Sequence, residues 1–207
     1  TFVYRRYIPL IKMEISIIRE NLKDMLDARG DDVTYIEEHG DAVDPPRYYN
    51  ELIVLDTDKT VVFFALSKEV LKDWKTQYES HEKMIADYKK KHFILILTDP
   101  PSSALMNQLQ TRDKLLQTQN GSLQIFYTKE LMYNPMKHVL VPKHEKLNED
   151  EVKSVLSTYV IKHKSQMPII SRNDVIARWL GLRHGDIVKI TRYNETSGTY
   201  YYYRCCL

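Results

Sequence analysis

Two short segments decide most of what this chain can become. TVVFFAL, Thr60 to Leu66, and HFILIL, His92 to Leu97, are apolar at nearly every consecutive position. Successive side chains of a strand point to opposite faces, so a run of this kind needs an apolar layer on both sides. Such runs are central strands of a sheet covered by helices. The remaining signals agree with that frame. ELIVLD, Glu51 to Asp56, precedes the first run, and Thr57-Asp58-Lys59 between them reads as a tight turn. Upstream, Ile11, Ile15, Ile18, Leu22 and Met25 step by three and four, giving one helix from about Pro9 to Arg29 that Gly30 stops. An irregular stretch with DPPR at Asp44 to Arg47 follows it. Ser67 is placed to cap a helix with Leu71, Trp74, Tyr78, Ile85 and Tyr88 on one face. TDPP closes the strand at Leu97, a weaker helix runs from about Ser102 to Thr118, and QNGS leads into a fourth strand, LQIFY. Strands alternating with helices define an α/β domain around a small mixed sheet, residues 1–136.

The pattern changes after Asn134-Pro135. HVLVPKHE is extended and basic, and Asn148 with Glu151 forms a capping box for a helix carrying Val152, Val155, Leu156 and Tyr159. Gln166 to Ile170 reads as a short edge strand because Pro168 lies in it. Ser171 is taken as the cap of DVIARWL, which Gly181 ends, and DIVKITR, NETSG and TYYYYR form a terminal hairpin. Residues 137–207 are therefore a compact α+β module with a small core, one that docking on a partner would help stabilise.

The hairpin carries four consecutive tyrosines, Tyr200 to Tyr203. Alternation puts Tyr201 and Tyr203 on one face and Tyr200, Tyr202 and Arg204 on the other. With aromatics on both faces, one face is expected on the protein's own core and the other against a partner. Base stacking is an open option for such a strand, although no interleaved Gly and Phe motif accompanies it. Arg178, Arg183, Lys189, Arg192 and Arg204 form either a patch or a solvated face.

Chemistry-bearing motifs are scarce. Thirty basic and 28 acidic side chains give a net charge of +2, too little for a strongly basic nucleic-acid binder. Six glycines include no phosphate-cradling loop. His138 and His144 lack metal-ligand spacing, and Cys205-Cys206 is neither a disulfide framework nor a metal site, which favours a reducing compartment. No apolar run approaches the roughly 20 residues of a membrane span. The opening residues carry no charged-then-apolar leader, so a non-secreted protein is expected. The best enzymatic candidate is Asp56 with Asp58 and Lys59, which could hold Mg²⁺ for phosphodiester cleavage. Adjacent Asp58 and Lys59 would point to opposite faces of a strand, and TDK reads better as a turn.

In order, LVPKH at Leu140 to His144, QMP at Gln166 to Pro168, DVIARWLGL at Asp174 to Leu182, VKI at Val188 to Ile190 and ETSG-x-Y-x-x-YR at Glu195 to Arg204 closely resemble one known module. It is the assembly domain of the fifth-largest subunit shared by the nuclear RNA polymerases, whose short archaeal counterpart is essentially this module alone. Ile169, Val175 and Trp179 depart from that family's usual basic residue, proline and tyrosine. The N-terminal part resembles the eukaryotic-type jaw domain by position, size and element order rather than by motif. Its divergence points to a version encoded by a large cytoplasmic DNA virus. The resemblance implies a non-catalytic subunit without a cofactor, the Mg²⁺ chemistry belonging to the two largest subunits. Its C-terminal module would dock on the largest subunit, and its jaw would lie near downstream duplex DNA. The implied interface comprises Pro142, Lys143, His144, Arg178, Arg183, Lys189, Arg192, Tyr202 and Arg204. The implied DNA-proximal residues are Pro101, Ser102, Ser103 and Ala104, where a helix start offers free N–H groups to a phosphate or simply carries an ordinary cap. The location would be the host cytoplasm and virion for a viral protein, or the nucleus for a cellular one. The alternative is an independent nucleic-acid binder or Mg²⁺-dependent nuclease carrying the same module.

Overall fold

The computed structural model describes residues 2–34, 53–65 and 92–207. The DPPR stretch and the helix expected after Ser67 lie outside the described residues. Contacts divide the chain into two compact units, residues 1–133 and 134–207.

In the first unit, helix α1 spans Phe2–Ala28. It starts a full two turns before the position expected from Pro9, which sits inside the helix and withholds one backbone N–H there. Ile15, Ile18, Leu22, Met25 and Leu26 form its buried stripe, and the Asn21 side chain donates a buried hydrogen bond to the Leu131 carbonyl (2.9 Å). The described strands β1 (Ile53–Asp56), β2 (Thr60–Ala65), β3 (His92–Leu97) and β4 (Ser122–Tyr127) form a sheet in sequence order. β1 and β2 pair antiparallel, and β2, β3 and β4 run parallel. All of β2 is buried, as is β3 beyond His92, which meets the requirement set by their two-sided apolar sequence. Helix α2 (Ser103–Thr118) covers one face, setting Leu105, Leu109 and Leu116 against Val61, Phe63, Phe93 and Leu95.

The second unit is a sheet between two helices. Its strands are β5 (Lys143–Lys146), β6 (Ile169–Ile170), β7 (Ile187–Asn194) and β8 (Gly198–Cys206), in the order β5-β7-β8-β6. β7 and β8 are the expected antiparallel hairpin, and β6 is the expected edge, parallel to β8. Helix α3 (Glu149–Thr158) starts with the capping box read from the sequence: Asn148 Oδ1 accepts from Glu151 N and Glu151 Oε2 accepts from Asn148 N, each at 2.9 Å. Helix α4 (Val175–Trp179) is capped by Asp174 rather than Ser171. Asp174 Oδ1 accepts from Ile176 N (2.9 Å) and Ala177 N (3.3 Å), whereas the Ser171 hydroxyl accepts only from Asn173 N. Gly181, at φ 61°, ends the element as expected. HVLVPKHE becomes strand only from Lys143 onward; the segment before it turns, with Val141 N bonded to the His138 carbonyl (2.9 Å).

Candidate subunit interface

The β7–β8 hairpin organises the second unit, and its two ends differ more than its two faces. Near the base, both faces are covered by this chain itself. On one face, Ile170, Ile176, Ala177, Leu180, Leu182, Val188, Ile190 and Cys206 form a core against which Tyr202 packs. On the other, Leu147, Met167, Ile187 and Cys205 do the same, and Tyr203 packs there with Val152, Val155 and Leu156 of α3. Tyr159 also meets Tyr203, ring centroids 5.7 Å apart. The expectation of one inward and one outward tyrosine face is therefore corrected. Tyr202 and Tyr203 lie on opposite faces and both pack inward, while Tyr200 and Tyr201, next to the turn, are exposed. The cause is reach: the helices cover the strands where β5 and β6 flank them, and the hairpin runs past that cover. Burial along β8 falls from Cys206 towards Gly198 accordingly.

The tandem cysteines follow the same logic. Cys205 fills one core and Cys206 the other, both fully buried and unpaired. Burial pushes both thiols up from their ordinary value, so they remain protonated small hydrophobes.

His144, Arg192, Tyr202 and Arg204 come together on one face, with the Pro142 carbonyl bonded to His144. Register places His144 opposite Ile190, Ile190 opposite Tyr202, Arg192 opposite Tyr200 and Arg204 opposite Val188. Arg192 and Arg204 thus flank Tyr202, one pair towards the turn and one pair away. Their guanidinium carbons lie over its ring at 5.1 and 5.4 Å, distances at which a cation is attracted to the ring's negative face. Arg204 Nη1 also donates to the Ile169 carbonyl (2.9 Å). His144 Nδ1 donates to the Pro142 carbonyl at 2.6 Å. Burial holds the His144 imidazole below the usual histidine value; its bond to Pro142 and the Asp174 charge oppose the shift, and Arg192 and Arg204 add to it.

Lys143 and Lys189 belong to the opposite face. Lys143 pairs with Glu145 (2.6 Å), and Lys189 Nζ lies 4.1 Å from the Tyr201 ring centre. Arg178 is half-buried on α4, and Arg183 lies in the following loop, its backbone N–H bonded to Asp186 Oδ2 (2.8 Å). Of the five basic residues, Arg192 and Arg204 share one face of the hairpin and Lys189 lies on the other. Sequence reasoning missed Asp174 as the residue that caps α4 and whose charge acts on His144. Its position directly before the apolar run was the available signal.

In the first unit, Ser102 caps α2, its hydroxyl accepting from Leu105 N at 3.4 Å. Pro101 is half-buried, and Ser103 and Ala104 are exposed on the first turn. The acid–lysine pair of the nuclease alternative has structural work: Asp58 Oδ1 accepts from Asp32 N (2.8 Å), and Lys59 Nζ donates to the Gly30 carbonyl. Thr57 completes this clasp between the β1–β2 turn and the end of α1, its single hydroxyl hydrogen lying within reach of the Thr60 carbonyl (3.0 Å) and of Asp31 Oδ2 (3.4 Å).

Comparison with known proteins assigns this unit to a family. Residues 133–206 match the family described as RNA polymerase Rpb5, C-terminal domain. The chain is similar to DNA-directed RNA polymerases I, II, and III subunit rpabc1 of Dictyostelium discoideum, 33% identical over 154 residues covering 73% of each chain. It is also similar to DNA-directed RNA polymerase subunit Rpo5 of Pyrococcus horikoshii, 46% identical over 72 residues, 35% of this chain and 87% of that one. The Caenorhabditis briggsae subunit RPABC1 is 44% identical over 82 residues, 40% of this chain and 38% of the relative.

Proposed function

The chain belongs to the Rpb5 family of DNA-directed RNA polymerase subunits, and from that premise we propose that it is a non-catalytic subunit that docks through residues 134–207 on the largest polymerase subunit. The observation that carries this reading is a coincidence of boundaries. The family match, residues 133–206, falls on the separately packed unit 134–207, and the short archaeal relative is matched over 87% of its length by 72 residues. The exposed turn end of the hairpin carries Tyr193, Tyr200 and Tyr201, a side-chain type enriched among the anchors of interfaces. The N-terminal unit acts as a jaw beside downstream DNA, with the exposed first turn of α2 at Ser103 and Ala104 nearest the phosphates. Its contribution to affinity is small, because a chain of net charge +2 neutralises few phosphates. The location follows the polymerase: the nucleus for a cellular enzyme, the host cytoplasm and virion for a virus-encoded one.

The test is purification of the tagged chain from its source. The two largest polymerase subunits should co-purify in equal proportion with it. Recovery of the tagged chain free of them, at native abundance, refutes the docking reading.

A further inference from the structure

Tyr202 gathers two cations, and neither is held in an ion pair among the described residues. Arg192 and Arg204 both lie over its ring, and neither meets a carboxylate among the described residues. Asp174, whose charge is felt at the neighbouring His144, has Oδ1 engaged by two backbone N–H groups at the start of α4. The carboxylates of Glu145 and Asp186 are paired with Lys143 and Lys146. Two guanidinium groups gathered at one ring repel each other, and this is worst in a half-buried setting where water screens less. Stacking on Tyr202 and the Arg204 bond to the Ile169 carbonyl offset that repulsion and restrict the side chains' freedom. Such an array is preorganised: part of the ordering cost of binding an anion is met before the anion arrives. Each guanidinium is a planar fork of donors matched to a carboxylate, and an arginine stacked on an aromatic retains that fork.

We propose that Arg192, Tyr202 and Arg204 form an acid-recognition site, and that its ligand is a carboxylate-bearing segment of the largest polymerase subunit. This rests on the docking reading above and deepens it by naming the chemistry of the contact. Charge complementarity selects the occupant: a pair of positive charges outside any ion pair, on a half-apolar aromatic platform, takes an acidic, partly apolar peptide. Tyr202 acts through the arginines as a positioning residue. Its ring sets where they stand, while its inward side belongs to the core of the unit.

The experiment uses the full chain and polymerase purified without this subunit. Binding of wild type and of the Arg192→Gln/Arg204→Gln double variant is measured across a series of NaCl concentrations. Thermal unfolding of each free protein verifies that the variants fold. Glutamine keeps a polar, partly aliphatic side chain and removes the charge, so the double variant should unfold like wild type. It should nevertheless bind about thirtyfold or more weakly, the loss expected from truncating a true anchor, and with a flatter salt dependence. Arg192→Lys/Arg204→Lys, which keeps charge without the fork, should recover only part of the affinity. If the double glutamine variant binds as tightly as wild type with the same salt dependence, acid recognition is overturned and docking stands. If wild type itself fails to bind, docking falls and this inference falls with it. If the variant assembles normally but the polymerase loses affinity for template DNA, the site recognises phosphate and the proposal is overturned in favour of nucleic acid.

Discussion

His144 and the tyrosines are where single side chains report on the second unit. The imidazole is held below the ordinary histidine value chiefly by burial, so the unfolded chain takes up a proton before the folded one does. Stability is then fully present above about pH 6.5, the ordinary value, and is lost as pH falls below it towards the lowered folded value. Unfolding followed between pH 8 and pH 5 should show this loss in wild type and a flatter profile in His144→Gln. Superimposable profiles would remove His144 from the account. The tyrosines divide by distance from the turn. Tyr203→Ala and Tyr202→Ala each leave a gap in a packed cluster and should cost about 2–3 kcal/mol. Tyr200→Ala and Tyr201→Ala remove exposed rings and should stay within about 0.5 kcal/mol. A denaturant series on the four variants decides this. Pairing of Tyr201 with Tyr203 and of Tyr200 with Tyr202 would restore the two-face arrangement that alternation suggests.

Elements that obey local rules were readable in the sequence, and those set by what lies above them were not. The central strands, the Asn148–Glu151 capping box and the terminal hairpin follow from side-chain period and terminal hydrogen bonding, which are properties of neighbouring residues. The covered length of β8 is different, because it depends on where α3, α4 and the flanking strands end in space. The start of α1 was misplaced because Pro9 reads as a helix opener, yet the helix continues through it. The end of α3 holds a feature that no periodicity reveals: Val160 adopts φ 52°, a left-handed conformation that crowds a β-branched side chain. Its N–H and that of Ile161 bond back to the Ser157 and Leu156 carbonyls (3.2 and 2.8 Å), in the manner of helix ends usually closed by glycine. The isopropyl group itself is 80% exposed and contributes little packing. Val160→Gly should therefore raise stability by about 0.5–1 kcal/mol, the relieved strain outweighing glycine's looser unfolded chain. A lowered urea midpoint would mean that the valine side chain is stabilising after all.

At the scale of the whole molecule, two units with different sheet orders share one chain, and the residues expected at the interface are divided between the two faces of the second sheet. His144, Arg192, Tyr202 and Arg204 share one face, whereas Lys143 and Lys189 lie on the other. Residue type and order were enough to point to the module, but membership of one surface depends on strand register and on which face each helix covers. The central claim is that the hairpin end of residues 134–207 faces the largest polymerase subunit. Placing a photo-reactive phenylalanine analogue at Tyr201, which is 52% exposed and whose neighbour Tyr202 is packed, tests it most directly. Irradiation of the purified polymerase carrying this variant should join the chain to the largest subunit and to no other protein. A crosslink confined to DNA, or none at all from fully incorporated protein, would contradict the claim.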